Sequence, residues 1–362
     1  MKVLFVTRKF PPSIGGMQRL SYHLITQMKH RVEASAITWG GSQRLLPFFM
    51  PYALGKSICI GMQGIDLAHI GDPVLAPIGW SIRKLFAVPV VVTVHGLDIT
   101  FPMGVYQWLI PRLLRDLDRL VCISGAARGA CVARDIPAEK CDVIPPGVAL
   151  SPVIPRDTAR QWLVQELGQE LRRSWVLLTV GRLVPRKGVA WFVEFVLPRV
   201  LRAGIDVCYL VVGSGSDERR VQTIVDRQDM GRHVHLLGRV SNDVLDHIYA
   251  AADLFVMPNL PIPGDMEGFG LVALEAAAHG VPVLAADLEG IRDAIVPGHT
   301  GRLLQSGNAD VWARSVLEWL DCPSELHGMA RQARAAVEER FTWTRMVDAY
   351  EVLFRELLGD SR

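Results

Sequence analysis

The sequence has no uncharged apolar run approaching the ~20 residues a bilayer-spanning helix needs. Its first apolar stretch, Val3–Val6, is shorter than a signal-peptide core and is followed at once by Arg8-Lys9 and Pro11-Pro12. The six cysteines (Cys59, Cys122, Cys131, Cys141, Cys208, Cys322) show no short paired spacing, which fits reduced structural thiols better than a disulfide framework. No Lys-Ser/Thr follows the N-terminal glycines, so the ATP-binding P-loop is absent, and the G-x-G-x-x-G dinucleotide fingerprint is missing too. His233 and His235 share a strand face without a third ligand nearby, so no metal is expected there. These absences point to a cytoplasmic protein, or to a peripheral one at the inner face of a membrane.

Net charge is also nearly absent, at +2, but it is unevenly spread. Residues 1–150 carry 16 Lys+Arg against 9 Asp+Glu, and the remainder 23 against 28, so the first half is basic and the second acidic. At 362 residues two domains are expected. Compact apolar runs alternate with helical stretches throughout: Lys2–Thr7, Val32–Thr38, Ile65–Ile70, Pro89–Val94, Leu120–Ile123 and Cys141–Ile144 read as strands. After the proline-dense segment from Pro145 to Pro155 the alternation restarts with Trp175–Val180, Asp206–Val212, His233–Leu237, Leu254–Met257, Val281–Ala285 and Gly301–Leu304. This predicts α/β architecture with two doubly wound, Rossmann-like domains. The expected division is 1–147, joined by a returning helix within 342–362, and 148–341.

Ligands of doubly wound sheets sit outside the carboxyl ends of the strands, so the chemistry is sought in the loops that follow them. Gly181–Gly188 follows one strand and offers Arg182, Arg186 and Lys187, a planar fork and a movable point charge suited to a diphosphate. A solvated basic loop is the competing reading. Gly213-Ser-Gly-Ser216 ends the next strand as a tight turn whose N–H groups suit a phosphate or ribose, or form a plain connection. Ser13–Arg19 follows the first strand, and its Gly15-Gly16 precede a helix whose positive end favours an anion; Gln18 and Arg19 lie on the same loop. His95-Gly-Leu-Asp98 ends a fourth strand. Glu267-Gly-Phe-Gly-Leu-Val-Ala-Leu-Glu275 places two carboxylates at the ends of a glycine-softened turn that runs into a helix opening at Gly270-Leu271. A span near ~12 Å, at ~1.5 Å rise per residue, suits a ligand gripped at both ends better than a carboxylate pair flanking one glycosidic bond.

With these loops in place the sequence resembles a retaining nucleotide-sugar glycosyltransferase of the GT-B fold, in the large family that includes sucrose synthase and the phosphatidylinositol mannosyltransferases. The resemblance covers nearly the whole chain. It is carried by the Glu267/Glu275 pair with seven residues between, Gly181-Arg182 with Lys187-Gly188, the N-terminal Pro-Pro-x-x-Gly-Gly loop, His95-Gly96 and Ile144-Pro-Pro-Gly-Val148. It implies that Arg182 and Lys187 bind the donor diphosphate and stabilise it as it leaves, with no metal and no cofactor beyond the nucleotide-sugar substrate. Glu275 would hold the ribose hydroxyls, and Glu267 with the backbone of Gly268, Phe269 and Gly270 the donor sugar. Gly16, beside Gly15, would lend its N–H to phosphate, His95 would contact the sugar near the reacting centre, and Arg239-Val240 would border the base, with Gly213 and Leu271 also on the donor side. Gln18, Arg19 and Asp98 are placed on the acceptor side. Ala149 stands where the family usually has a polar residue.

The Val-Pro-Arg-Lys-Gly form of the phosphate loop tilts the donor toward GDP-mannose, with a UDP-sugar next. The hydroxyl acceptor is expected to be lipid- or polysaccharide-linked. Arg44–Tyr52 and Val105–Arg115 mix apolar, aromatic and basic residues in a manner that suits an anionic membrane surface, although apolar helices of α/β domains are more often core. No nucleic-acid partner is expected. A nucleotide-sugar epimerase of similar architecture and a non-catalytic nucleotide-sugar binder are the alternatives.

Overall fold

Strands buried on both faces need near-continuous apolar side chains, and the central strands of two parallel sheets have them; among the described residues each sheet holds six strands. The computed structural model describes residues 1–168 and 174–359, without the side chain of His327. The chain divides into two compact units. Unit 1 comprises Met1–Gly147, Gly264–Phe269 and Phe341–Arg362; unit 2 comprises Val148–Pro263 and Gly270–Arg340. The short piece Gly264–Phe269 thus belongs to the first unit, although it is flanked on both sides by the second.

In unit 1 the strands are β1 (Lys2–Thr7), β2 (Glu33–Thr38), β3 (Leu67–Ile70), β4 (Val90–Val94), β5 (Arg119–Cys122) and β6 (Cys141–Val143). Their order is β2-β1-β3-β4-β5-β6, all parallel. The direction of winding reverses between β1 and β3, so the switch point lies at the carboxyl ends of these two strands.

In unit 2 the strands are β7 (Trp175–Val180), β8 (Val207–Val212), β9 (Val234–Gly238), β10 (Leu254–Met257), β11 (Val283–Ala286) and β12 (Gly301–Leu304). Their order is β12-β11-β10-β7-β8-β9, which puts the switch point between β7 and β10. Each expected strand is present, with ends shifted by a residue or two. β11 begins at Val283 instead of Val281 because Pro282 has no N–H to give the ladder.

The last helix, Trp343–Leu357, packs within unit 1. Trp343, Met346, Val347, Tyr350, Leu353 and Phe354 recur every three or four residues and form its buried face. Trp343 stacks on His23 with ring centroids 4.3 Å apart. The Tyr350 hydroxyl lies 2.7 Å from Thr93 Oγ1, which is 2.8 Å from His69 Nε2. Arg31 adds ion pairs to Asp348 at 2.6 Å and Glu351 at 2.9 Å.

Candidate functional site

Unit 2 brings three strand-end loops together. The loop after β7 joins the loop after β10 across the switch point, since the Leu260 N–H donates to the Arg186 carbonyl at 2.9 Å. It also joins the turn after β8, where the Leu183 N–H donates to Ser214 O at 3.1 Å. Gly213, with φ of +129°, passes so close to Gly181 that a Cβ there would lie 1.8 Å from the Gly181 carbonyl oxygen. The Gly213 N–H reaches Gly238 O at 2.7 Å, and Arg239 Nε donates to Ser214 Oγ at 3.0 Å. Gly181, Arg182, Gly213 and Arg239 therefore stand at one sheet edge, with Val240 following in the chain.

The three basic residues of the β7 loop do not all project as expected. Arg182 is exposed and Lys187 half-buried, but Arg186 is buried at 6% exposure. The reason is local: the turn Pro185–Lys187 lays its middle residue against the sheet edge, where its carbonyl is used by Leu260. Arg182 and Lys187 are thus the less buried cations of this loop.

Glu275 lies on the helix Leu271–Ala278, which starts from Gly270 in the left-handed conformation (φ 93°). The helix is buried along Ala273–Ala278, and Glu275 is 9% exposed. The Tyr249 hydroxyl donates to Glu275 Oε2 at 3.2 Å. The Tyr249 ring is stacked on His279, whose Nε2 lies 3.1 Å from Asp246 Oδ1. A buried carboxylate needs hydrogen-bond partners, and Tyr249 is one of them. Tyr249 was missed in the sequence, where it reads as one more apolar-face residue of the helix Asn242–Ala251.

Unit 1 brings the second group together. His95, at the end of β4, directs Nε2 to the Gly71 carbonyl oxygen after β3, at 3.0 Å. A carbonyl only accepts, so Nε2 carries a hydrogen. Beside it, Arg8 Nε donates to Asp72 Oδ1 at 2.9 Å, tying the ends of β1 and β3. The segment Gly264–Phe269 lies against the turn after β4: a Cβ on Gly268 would fall 2.1 Å from His95 O, and one on Gly96 3.2 Å from Gly268 Cα. Glu267, half-buried, is thus set next to His95.

One expected role changes here. Asp98, expected on the acceptor side, is buried, and both its carboxylate oxygens accept the His95 N–H at 3.0 Å while Oδ1 also accepts the Ile99 N–H at 2.9 Å. Burial pushes its carboxyl up to about 6, against the pull of His95. It shapes the His95 turn from behind. The Phe269 side chain is 3% exposed, with its ring 6.2 Å from that of Phe341. Gly15 precedes the helix Gly16–Met28, which no side chain caps; Gln18 donates to Ser13 Oγ at 3.2 Å, and Arg19 is exposed on the first turn.

Residues 168–336 match the family model described as glycosyl transferases group 1, and residues 30–147 that of a glycosyl transferase 4-like domain. D-inositol 3-phosphate glycosyltransferase of Segniliparus rotundus is 30% identical over 319 residues, covering 83% of this chain and 68% of that protein. This chain belongs to the group 1 glycosyl transferases. A further relative of this glycosyltransferase is the GDP-mannose-dependent monoacylated alpha-(1-6)-phosphatidylinositol monomannoside mannosyltransferase of Corynebacterium glutamicum, 29% identical over 370 residues and 94% of each chain. Among solved structures, Anabaena HepE in complex with UDP superposes with a TM-score of 0.77 at 18% identity, covering 98% of this chain and 100% of that one. The fold is GT-B, and the protein is a hexosyltransferase.

Proposed function

We propose that this enzyme moves a mannosyl unit from GDP-mannose, with retention of configuration, to a hydroxyl of a lipid-linked acceptor. The observation that carries the reading is the loop at the β7/β10 switch point, where Arg182 and Lys187 stand beside the turn at Gly213. Two cations at that point match the two negative charges of a diphosphate without a metal. Glu275, held by Tyr249, accepts the ribose hydroxyls. Glu267 and the Gly268–Gly270 backbone take the sugar hydroxyls, and His95 stands near the anomeric carbon. GDP-mannose is favoured by the match to the GDP-mannose-dependent Corynebacterium mannosyltransferase, which spans 94% of each chain.

The reaction needs no protein nucleophile. The acceptor oxygen forms its bond to the anomeric carbon on the face from which the diphosphate departs. The bonding pair leaves with the β-phosphate oxygen, which takes the acceptor's proton as it goes. Arg182 and Lys187 stabilise the charge that builds on that oxygen.

Among the described residues no helix is long and apolar enough to cross a membrane. Unit 1 exposes Phe48 and Tyr52 on the helix Leu46–Gly61, and Val105 and Trp108 on the helix Gly104–Arg115. Lys56 lies over Tyr52 at 5.8 Å and Arg112 over Trp108 at 4.8 Å. Aromatic rings with adjacent cations suit the anionic interface on which a lipid-linked acceptor is presented.

Incubation with GDP-mannose, and in parallel with UDP-glucose, without acceptor tests the class. A transferase hydrolyses its donor slowly and leaves the sugar unchanged. Release of an epimerised sugar, or binding with no turnover even when phosphatidylinositol mannosides are supplied, would overturn the reading.

A further inference from the structure

Three of the six cysteines, well separated in sequence, converge in unit 1. Cys122 ends β5, Cys131 lies in the last turn of the helix Gly125–Val132, and Cys141 opens β6. The convergence follows from the topology. β6 pairs with β5 in register Leu120↔Cys141 and Cys122↔Val143, and the intervening helix, capped by Ser124 Oγ on Ala127 N at 3.0 Å, returns its last turn over the strand pair. All three Sγ atoms lie within 4.8 Å of one another, and those of Cys122 and Cys131 are 3.9 Å apart. Cys122 and Cys131 are fully buried and Cys141 is 6% exposed.

Buried cysteines usually serve as small apolar residues. That role asks each sulfur to find carbon neighbours, and it gives no reason for three sulfurs to meet. A disulfide would use two and leave the third. The spacing instead matches coordination geometry. With zinc–sulfur bonds of ~2.3 Å, sulfurs around one ion sit roughly 3.8–4.0 Å apart, the separation already present between Cys122 and Cys131. The other pairs need to close by less than about an ångström, within the reach of a χ1 adjustment. Among the described residues the group is sulfur alone, so it selects soft, thiophilic ions. Three thiolates around a divalent ion leave one negative charge, and Arg128 stands three residues before Cys131 on the same helix.

We propose that Cys122, Cys131 and Cys141 form a three-thiolate site for a single closed-shell cation of the zinc and cadmium class. Binding breaks three S–H bonds, forms three metal–sulfur bonds and releases three protons to solvent. Its effect is architectural. β6 is a three-residue strand at the edge of the sheet, and the ion clamps it and the preceding helix to β5, just before the chain leaves unit 1 at Gly147. Donor chemistry does not pass through it.

The test uses the full-length protein, reduced and stripped with a chelator, then titrated with cadmium chloride. The expected result is one bound ion per chain, sulfur-to-metal charge-transfer absorption that saturates at that ratio, and a melting temperature raised by about 5 °C or more at saturation. Cys122→Ser, Cys131→Ser and Cys141→Ser should each weaken binding at least 100-fold, and the triple variant Cys59→Ser, Cys208→Ser, Cys322→Ser should bind as the wild type does. Binding that survives loss of Cys131, or that needs Cys59 or Cys322, overturns the proposal. X-ray absorption on the loaded wild type counts the ligands independently of how any variant folds: three sulfurs support the site, and one or none excludes it. Absence of tight binding to the reduced protein excludes it as well.

Discussion

The hydroxyl of Tyr249 donates to Oε2 of Glu275 at 3.2 Å, so the carboxylate assigned to the donor's ribose is held by a side chain from another helix. Removing Glu275 takes away a charge-assisted acceptor, and Glu275→Ala should weaken donor binding by about 2–3 kcal/mol. Tyr249→Phe should weaken it by about 1 kcal/mol, because the carboxylate stays but is less fixed. Calorimetric titration with the nucleoside diphosphate and its sugar checks both; equal affinities across the three proteins would make Glu275 purely structural.

Lys187 is half-buried, and its Cε lies 3.8 Å from where a Cβ on Gly181 would stand, so its side chain folds back over the start of the loop. An ammonium there answers the charge that grows on the departing phosphate more than the charge already present. Lys187→Ala should reduce kcat about 100-fold or more while changing donor affinity less than 10-fold. Steady-state kinetics alongside equilibrium binding separates the two effects.

Gly213 has no room for a side chain. A Cβ would meet the Gly181 carbonyl oxygen at 1.8 Å, in a backbone conformation that L residues rarely adopt. Gly213→Ala should cost about 3 kcal/mol or more and abolish transfer, because the β7 and β8 loops must part to admit the methyl group. Urea denaturation gives the first number and a transfer assay the second.

His69 carries a pH dependence with a definite sign. Burial, helped by the nearby His95, lowers its pKa from 6.5 to about 3. Above pH 6.5 both folded and unfolded chains hold it neutral, and its contribution is fully present. As pH falls from 6.5 toward 3 the unfolded chain takes up the proton first, and that stability is lost. His69→Gln should therefore flatten the fall in melting temperature across this window, even if the variant is less stable at pH 7. Parallel slopes for the two proteins would contradict the assignment.

The exposed aromatic residues and adjacent cations of unit 1 predict vesicle binding. Co-sedimentation with vesicles rich in anionic lipid should be clear at low salt, decline as salt screens the cations, and drop several-fold in Phe48→Ser and Trp108→Ala. No binding at low salt would remove the membrane from the proposal.

The strands were legible because burial on both faces writes them as short apolar runs, Trp175–Val180 and Leu254–Met257 being read to the residue. The loops that end them were legible for a related reason: glycines and cations after an apolar run are conspicuous. Contacts made at long sequence separation were not. Nothing in the sequence joins Tyr249 to Glu275, turns Asp98 inward or buries Arg186, since each depends on which neighbour the sheet order supplies. The same holds for the three sulfurs of unit 1, whose spacing of nine or ten residues carries no motif. The placing of Gly264–Phe269 with the first unit was hidden as well, because its chain neighbours on either side belong to the second.

The helix Trp343–Leu357 covers Phe5, His69 and Thr93, residues made some 250 or more positions earlier. During synthesis the first sheet emerges with that cover missing, and it stays uncovered while the whole of unit 2 is made. The part of the protein that is begun first is thus finished last. A ribosome that stops short of residue 340 leaves a chain whose second unit has all its strands while the first still exposes part of its core, the form that chaperones and proteases recognise.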